Sequence, residues 1–452
     1  MKLFNLILLS SFICASAQAT TIAIIDSGTD LFHSELINKK WFNPKDIDDA
    51  VDNDDNGLID DVNGWNFAEG SNVLVDRKYL GTFSADVYKF FEVQTRMLKG
   101  EQTAADVEWY KAARDNDKLI AELGIFGNFV HGTHVAGIAA KNAPDAKIMV
   151  LKIIPTKPPM GGGKTHSAGV NAAIAEVKKA KTDKLLRAGL KLLASQQAKA
   201  LNPIGQYVGK QKARVANCSF GTSTTAAKTI LGPILKIVLK REATAEELMT
   251  YSSFFVSEII KASKGMMTAA PKTLFVMAAG NDGTDNDALP TSPANIKLDN
   301  TITVAATLGY KKLASFSNYG ATLVEVAAPG VGIESSIPGD MHLTVSGTSQ
   351  AAPFVANVAG LAIDQNPSLS NSDLKKILMD TTDLKDFLKG KVVSGGVVNT
   401  KRAVMAAKMS KSMDLNQAIK SAYLQVNDVS VPFNKTKGDD FEGFVLPMPS
   451  LF

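Results

Sequence analysis

Four short motifs carry side chains able to do acyl-transfer chemistry. In Ile24-Ile25-Asp26-Ser27-Gly28 a carboxylate follows an apolar run. At the carboxyl end of a strand in an open α/β sheet such a group can orient a histidine, although Asp-Ser-Gly alone is also an ordinary turn. In His131-Gly132-Thr133-His134-Val135-Ala136-Gly137 small neighbours leave room for a substrate beside His131, and 133–140 continues as a helix. Two histidines three apart could hold a metal, but the Glu and the spacing of H-E-x-x-H are absent, so His131 is read as a catalytic histidine. Ser346-Gly347-Thr348-Ser349-Gln350-Ala351-Ala352-Pro353 puts a serine where a loop enters an apolar helix. There, free N–H groups and the helix dipole favour the negative charge that nucleophilic attack creates. The alternative is a plain N-cap. In Ala278-Ala279-Gly280-Asn281-Asp282-Gly283 the Asn281 amide could donate to the same charge, or simply make a turn.

Taken together the motifs are more specific than any one alone. Asp before His before Ser is the chain order of subtilisin, unlike the orders of other triad folds. The sequence resembles the subtilisin-like serine peptidases over residues 21–407. The match includes Asn217-Cys218-Ser219-Phe220-Gly221, Ser315-Phe316-Ser317-Asn318-Tyr319-Gly320, Ala328-Pro329-Gly330 and Gly395-Gly396-Val397-Val398-Asn399. The resemblance implies that Ser349 attacks the peptide carbonyl, that His131 takes and returns its proton, and that Asp26 fixes the His131 tautomer. It implies that Asn281 and the Ser349 N–H bind the oxyanion. It also implies that Ser219, Phe220 and Gly221, with a second segment near Gly161-Gly162-Gly163, pair with an extended peptide, and that Ala278, Ala279 and Gly280 wall the pocket for the P1 side chain. Those small residues favour a large apolar P1, with Asp282 at the rim able to admit Lys or Arg. Gly161-Gly162-Gly163-Lys164-Thr165 is no phosphate loop, because Pro158 stands where that motif needs glycine.

The expected function is therefore an exported serine endopeptidase acting on peptides or proteins. Two other classes share the motifs, a catalytically silent binding module and an acyl-transferring ligase or cyclase, since the acyl-enzyme step is common to hydrolysis and transfer.

The elements that must position these residues are also legible. Residues 21–25, 147–154, 214–219, 273–279 and 301–305 are apolar runs of buried-strand character. Helical stretches at 167–180, 351–364 and 372–380 separate them. This alternation predicts an α/β fold, and with the resemblance a three-layer subtilisin-like one: a mostly parallel central sheet with helices on both faces. Residues 71–128, 178–212 and 226–270 read as helical insertions in a peptidase domain spanning 18–408. Thr103 with Asp106 and Thr244 with Glu247 form capping-box patterns, and the Lys-rich 178–212 is read as a solvated helix lying on the domain.

The chain has 452 residues and a formal net charge of +4, too small for charge alone to imply a nucleic acid or a membrane surface as partner. Lys2, the apolar 6–14 and Ala15-Ser16-Ala17 fit a signal peptide over 1–17, so a periplasmic or extracellular location is expected. No later segment is apolar enough to span a membrane. The first strand begins so soon after the predicted cleavage site that no inhibitory propeptide is expected between them. Cleavage would leave Cys218 as the one cysteine, excluding an internal disulfide. In Asp52-Asn53-Asp54-Asp55-Asn56-Gly57-Leu58-Ile59-Asp60, the residues Asp52, Asp54, Asn56 and Asp60 have calcium-loop spacing with glycine at the sixth position, although Asn63 replaces the twelfth-position Glu. A structural Ca²⁺ is expected there.

Beyond the domain lies an extension, 409–452, with a helix-like stretch at 415–424, an alternating run at 426–433, and an apolar end from Phe441. Three fates are open for it: packing on the body, lying across the cleft, or docking a protein partner.

Overall fold

The computed structural model describes residues 19–157, 168–430 and 449–450. The predicted signal, the Gly161-Gly162-Gly163 segment and most of the apolar end lie outside them. In chain order the strands are β1 (Thr21–Asp26), β2 (Gly64–Asn66), β3 (Lys147–Lys152), β4 (Val215–Cys218), β5 (Thr222–Ser223), β6 (Leu274–Ala278), β7 (Thr291–Ser292), β8 (Thr301–Leu308), β9 (Lys312–Leu313), β10 (Val326–Pro329), β11 (Ile333–Ile337), β12 (Met341–Val345), β13 (Asp383–Leu384) and β14 (Gly396–Val397). The main sheet runs β13-β14-β10-β8-β6-β4-β1-β3-β2, with β9 beside β8. Neighbours are parallel except β13 with β14 and β9 with β8. The α/β reading therefore holds, with two antiparallel edge pairs added.

The helices are α1 (Ala85–Lys99), α2 (Ala104–Arg114), α3 (Asp117–Ala140), α4 (Ala168–Lys178), α5 (Asp183–Lys210), α6 (Thr224–Leu239), α7 (Ala245–Thr268), α8 (Thr348–Gln365), α9 (Asn371–Asp380), α10 (Thr400–Met409) and α11 (Leu415–Gln425). The strands lack polar alternation because both faces are covered. Ile22 and Ile24 of β1 enter a core with Val355, Ala356 and Ala359 of α8. Ala23 and Ile25 enter the opposite core with Leu201, Ile204 and Val208 of α5 and Met266 and Met267 of α7.

The stretches read as insertions contain helices with cores of their own. Phe90, Phe91, Tyr110, Phe126 and Phe129 of α1–α3 pack with Leu343 of β12, while Leu190, Leu231, Phe255 and Ile259 join α5, α6 and α7. Both capping boxes form, at Thr103 with Asp106 and Thr244 with Glu247. The Lys-rich stretch is one helix, α5, serving two cores. Leu186, Leu190 and Leu193 are buried in the helical bundle, and Leu201, Ile204 and Val208 cover the sheet. Only its remaining face is left to the lysines. Among the described residues no helix is long and apolar enough to cross a membrane.

Candidate active site

Asp26 is the last residue of β1 and its side chain is fully buried. Its Oδ1 accepts from the Ser27 N–H at 2.7 Å and pairs with His131 Nδ1 at 2.6 Å. Because a carboxylate only accepts, this bond places the His131 proton on Nδ1 and leaves Nε2 as the basic nitrogen. The His131 side chain keeps 13% of its surface exposed, so the ring is held from behind and open in front.

The sequence reading starts a helix just after His131. In the structure α3 begins at Asp117, capped by the Asn116 side chain on the N–H groups of Lys118 and Leu119. His131 therefore lies in mid-helix. The cause is that Leu119, Leu123, Phe126 and Val130 set an apolar face that the 133–140 stretch continues. Gly132 lets this helix reach β1: a Cβ there would run into the Gly28 carbonyl oxygen. The contact is then laced by Gly132 N–H to Ser27 Oγ at 3.2 Å, Thr29 Oγ1 to Gly132 O at 3.2 Å and Asp30 N–H to Thr133 Oγ1 at 2.9 Å.

Ser349 is the second residue of α8, among the N–H groups that have no intrahelical acceptor. Its Oγ donates to Ser219 O at 3.3 Å, and Ser219 Oγ donates back to Ser349 O at 3.0 Å. The first bond is long for a hydroxyl donor. The oxygen of Asn281, three residues beyond β6, accepts from Thr348 N–H at 2.9 Å and Thr348 Oγ1 at 2.8 Å. Those two bonds fix which end of the amide is which, leaving Nδ2 as its donor end, beside Gly347. Thr348 Oγ1 also accepts from Gly280 N–H at 3.2 Å, so one hydroxyl ties the Asn281 turn to the Ser349 helix. No local sequence signal marks Thr348 as the residue that sets the orientation of the Asn281 amide.

The predicted substrate walls divide. Phe220, Ala278 and Ala279 point their side chains into the cores rather than toward a ligand. Ser219, Gly221 and Gly280 remain, contributing mainly backbone. At Gly280 φ is +117° and a Cβ would meet Asn318 Nδ2, so glycine is required there. Cys218 lies fully buried, and burial together with the nearby Asp26 charge pushes its thiol well above the ordinary range. It is not a competing nucleophile.

His134 is not a metal partner of His131. Its Nε2 bonds the Leu343 carbonyl at 3.0 Å, and burial lowers its pKa to about 4. The imidazole thus stays neutral in the fold down to about pH 4, whereas in an unfolded chain it ionises near 6.5 (about that value for a free histidine). Between those values the unfolded state takes up the extra proton, so stability falls as pH falls, by about 3 kcal/mol in all. Thermal melts of the wild type and His134→Gln between pH 7 and 4.5 check this: the variant should show the shallower acid slope, and equal slopes would refute it.

The four predicted calcium ligands do not gather. Asp52 accepts from Asn56 and Gly57 N–H, Asn56 Oδ1 from Leu58 N–H, and Asp60 Oδ1 from Asp49 and Ala50 N–H just before the loop. Asp54 differs: its Oδ2 accepts from Asn43 Nδ2 at 3.4 Å, and its Oδ1 is buried without a hydrogen-bond partner. The buried acids here are instead Asp46 and Asp61. Among the described residues no three or more His, Cys, Asp or Glu side chains are arranged to hold a metal ion. The four do not form one donor set, and no metal role is derived from them.

With the site described, comparison with known proteins places the chain. A model described as the subtilase family matches residues 17–408. The chain belongs to the subtilase family. It is 38% identical to alkaline elastase YaB of Bacillus sp. (strain YaB) over 135 residues, 30% of this subtilase and 33% of that protein. It is 29% identical to M-protease of Shouchella clausii (strain KSM-K16) over 260 residues, covering 56% and 49% respectively. The matches thus span a third to a half of these relatives' lengths. A cold adapted subtilisin-like serine proteinase of solved structure aligns over 85% of this chain and 89% of its own, at 18% identity and a TM-score of 0.45. A lanthipeptide protease structure aligns over 85% and 88%, also at 18% identity, with a TM-score of 0.46.

Proposed function

We propose that this subtilase is an exported serine endopeptidase that cleaves peptide bonds through an acyl-enzyme on Ser349. The observation that carries the reading is the 2.6 Å bond between His131 Nδ1 and the fully buried Asp26 carboxylate. It sets the tautomer a general base requires and gives the imidazolium a counter-charge where water cannot screen it. His131 takes the Ser349 proton as Oγ attacks the carbonyl carbon. The oxyanion is met by the Ser349 N–H at the start of α8 and by Asn281 Nδ2. His131 then protonates the leaving amine, and water, activated by the same nitrogen, releases the acyl group. The Gly221 N–H supports the peptide as an added strand.

Incubating the protein with a defined peptide and identifying products by mass spectrometry tests the reaction class. Two fragments differing from the parent by one water mean hydrolysis. Joined or cyclised products would replace this reading by acyl transfer, and no product at all by a silent binding module. The oxyanion assignment gives a separate prediction. Asn281→Leu should lower kcat about 10²–10³-fold, the scale known for the equivalent donor of subtilisin, with KM nearly unchanged. Loss confined to KM would mean that Asn281 binds substrate rather than the transition state.

A further inference from the structure

The groove that the catalytic reading assigns to substrate is already engaged by the chain itself. Gly221 N–H, the donor an incoming peptide would need, donates to the carbonyl oxygen of Pro449 at 2.9 Å. One residue on, Thr222 Oγ1 and Ser450 Oγ lie 2.9 Å apart. Gly221 is two residues along the chain from Ser219, which exchanges two hydrogen bonds with Ser349. At about 3.3 Å per residue of extended chain, the docked carbonyl stands roughly 7 Å along the segment from the residue that touches the nucleophile. The residue supplying that carbonyl suits the position. Proline has no N–H to satisfy, its φ is fixed in the extended range, and it arrives with little conformational entropy to lose.

The rest of the extension explains how such a contact can be held. Helix α11 packs on the body through Ala418, Ile419 and Ala422. Beyond it, Val426 and Asp428 are bound by the buried guanidinium of Arg402. Because the segment belongs to the same chain, its pairing with the groove is intramolecular, so even weak pairing fills the edge in cis.

We propose that Pro449-Ser450 is a pseudo-substrate: it occupies the Gly221–Thr222 edge and competes with incoming peptides, restraining the enzyme. This rests on the peptidase reading, and the test separates the two. The full chain is compared with a form ending at Ser430, which keeps α11 and the Arg402 contacts made among the described residues. On a short chromogenic peptide the truncated form should show kcat/KM higher by about tenfold or more, nearly all of it as a lower KM, because a competing segment reduces only the binding-competent fraction. Ser450→Trp in the full chain, which crowds Thr222, should give a smaller rise of the same kind and serves if the shortened chain misfolds.

A readout without turnover accompanies these. Amide exchange at Gly221 should be slow in the full chain and fast in the truncated one. A labelled synthetic peptide of residues 441–452 should bind the truncated chain carrying Ser349→Ala and be displaced by a substrate peptide. Unchanged kcat/KM, or equal exchange at Gly221 in both forms, overturns the proposal. If neither form cleaves peptides, the peptidase reading fails, while exchange and peptide binding still decide whether the segment fills the groove.

Discussion

Replacing Ser349 by alanine should leave a folded protein whose kcat on peptide substrates is lower by about 10⁶-fold, the scale seen when the nucleophile of subtilisin is removed. The size follows from the arrangement. Ser349 combines a hydroxyl oxygen with a backbone N–H at the start of α8, and the thiol of Cys218, next to Ser219 in the chain, is buried and held protonated. His131→Ala should be nearly as damaging, and the double variant scarcely worse than either, because the members act as one unit. Circular dichroism and melting curves must match the wild type for the comparison to count. Activity within tenfold of wild type in a folded Ser349→Ala protein would remove Ser349 from the mechanism.

The largest stability effect is expected at Arg402, far along the chain from the catalytic motifs. Its guanidinium is almost completely buried. It pairs with Asp383 at 3.1 Å and Asp428 at 2.9 Å, donates to the carbonyls of Thr382 and Val426 at 3.0 and 2.9 Å, and lies 3.8 Å over the Tyr423 ring. Asp383 is itself fully buried, so Arg402→Met leaves its carboxylate with hydrogen bonds from Asn399 Nδ2 and Val429 N–H but without a counter-charge. Asp428 is half exposed and adds little. A broken buried pair costs about 3–5 kcal/mol. With about 2.1 cal/mol/K of unfolding entropy per residue, that lowers Tm by about 5 °C. Arg402→Lys should recover only part of the loss, since one ammonium cannot reach both carboxylates and the carbonyls together. A shift below about 1 °C for Arg402→Met would show that this cluster does not anchor the extension.

The candidate site residues could be picked out of the sequence because each sits in a run whose character is local. A carboxylate ends a buried strand, a histidine is surrounded by small residues, and a serine opens an apolar helix. The layered α/β core was legible for the same reason, since strands buried on both faces read as unbroken apolar runs. What escaped depends on partners distant in sequence. The start of α3, although capped locally by Asn116, was missed because the apolar face from Leu119 to Val130 lies before His131, and its packing partners are on α1, α2 and β12. Thr348 orients Asn281 across 67 positions. The docking of Pro449 on Gly221 spans more than half the chain and leaves no local signal. In the acidic loop, spacing alone could not reveal that oxygens of Asp52, Asn56 and Asp60 are taken up by nearby backbone N–H groups while Asp54 turns inward.

The central claim is that Ser349 is a nucleophile activated by His131 and Asp26. The most direct measurement is reaction of the full chain, and of the form ending at Ser430, with a fluorophosphonate probe, followed by peptide mapping of the adduct. The account predicts a single adduct on Ser349, lost in His131→Ala and formed faster in the shortened form. A folded protein that takes no label, or takes it on another residue, would contradict it.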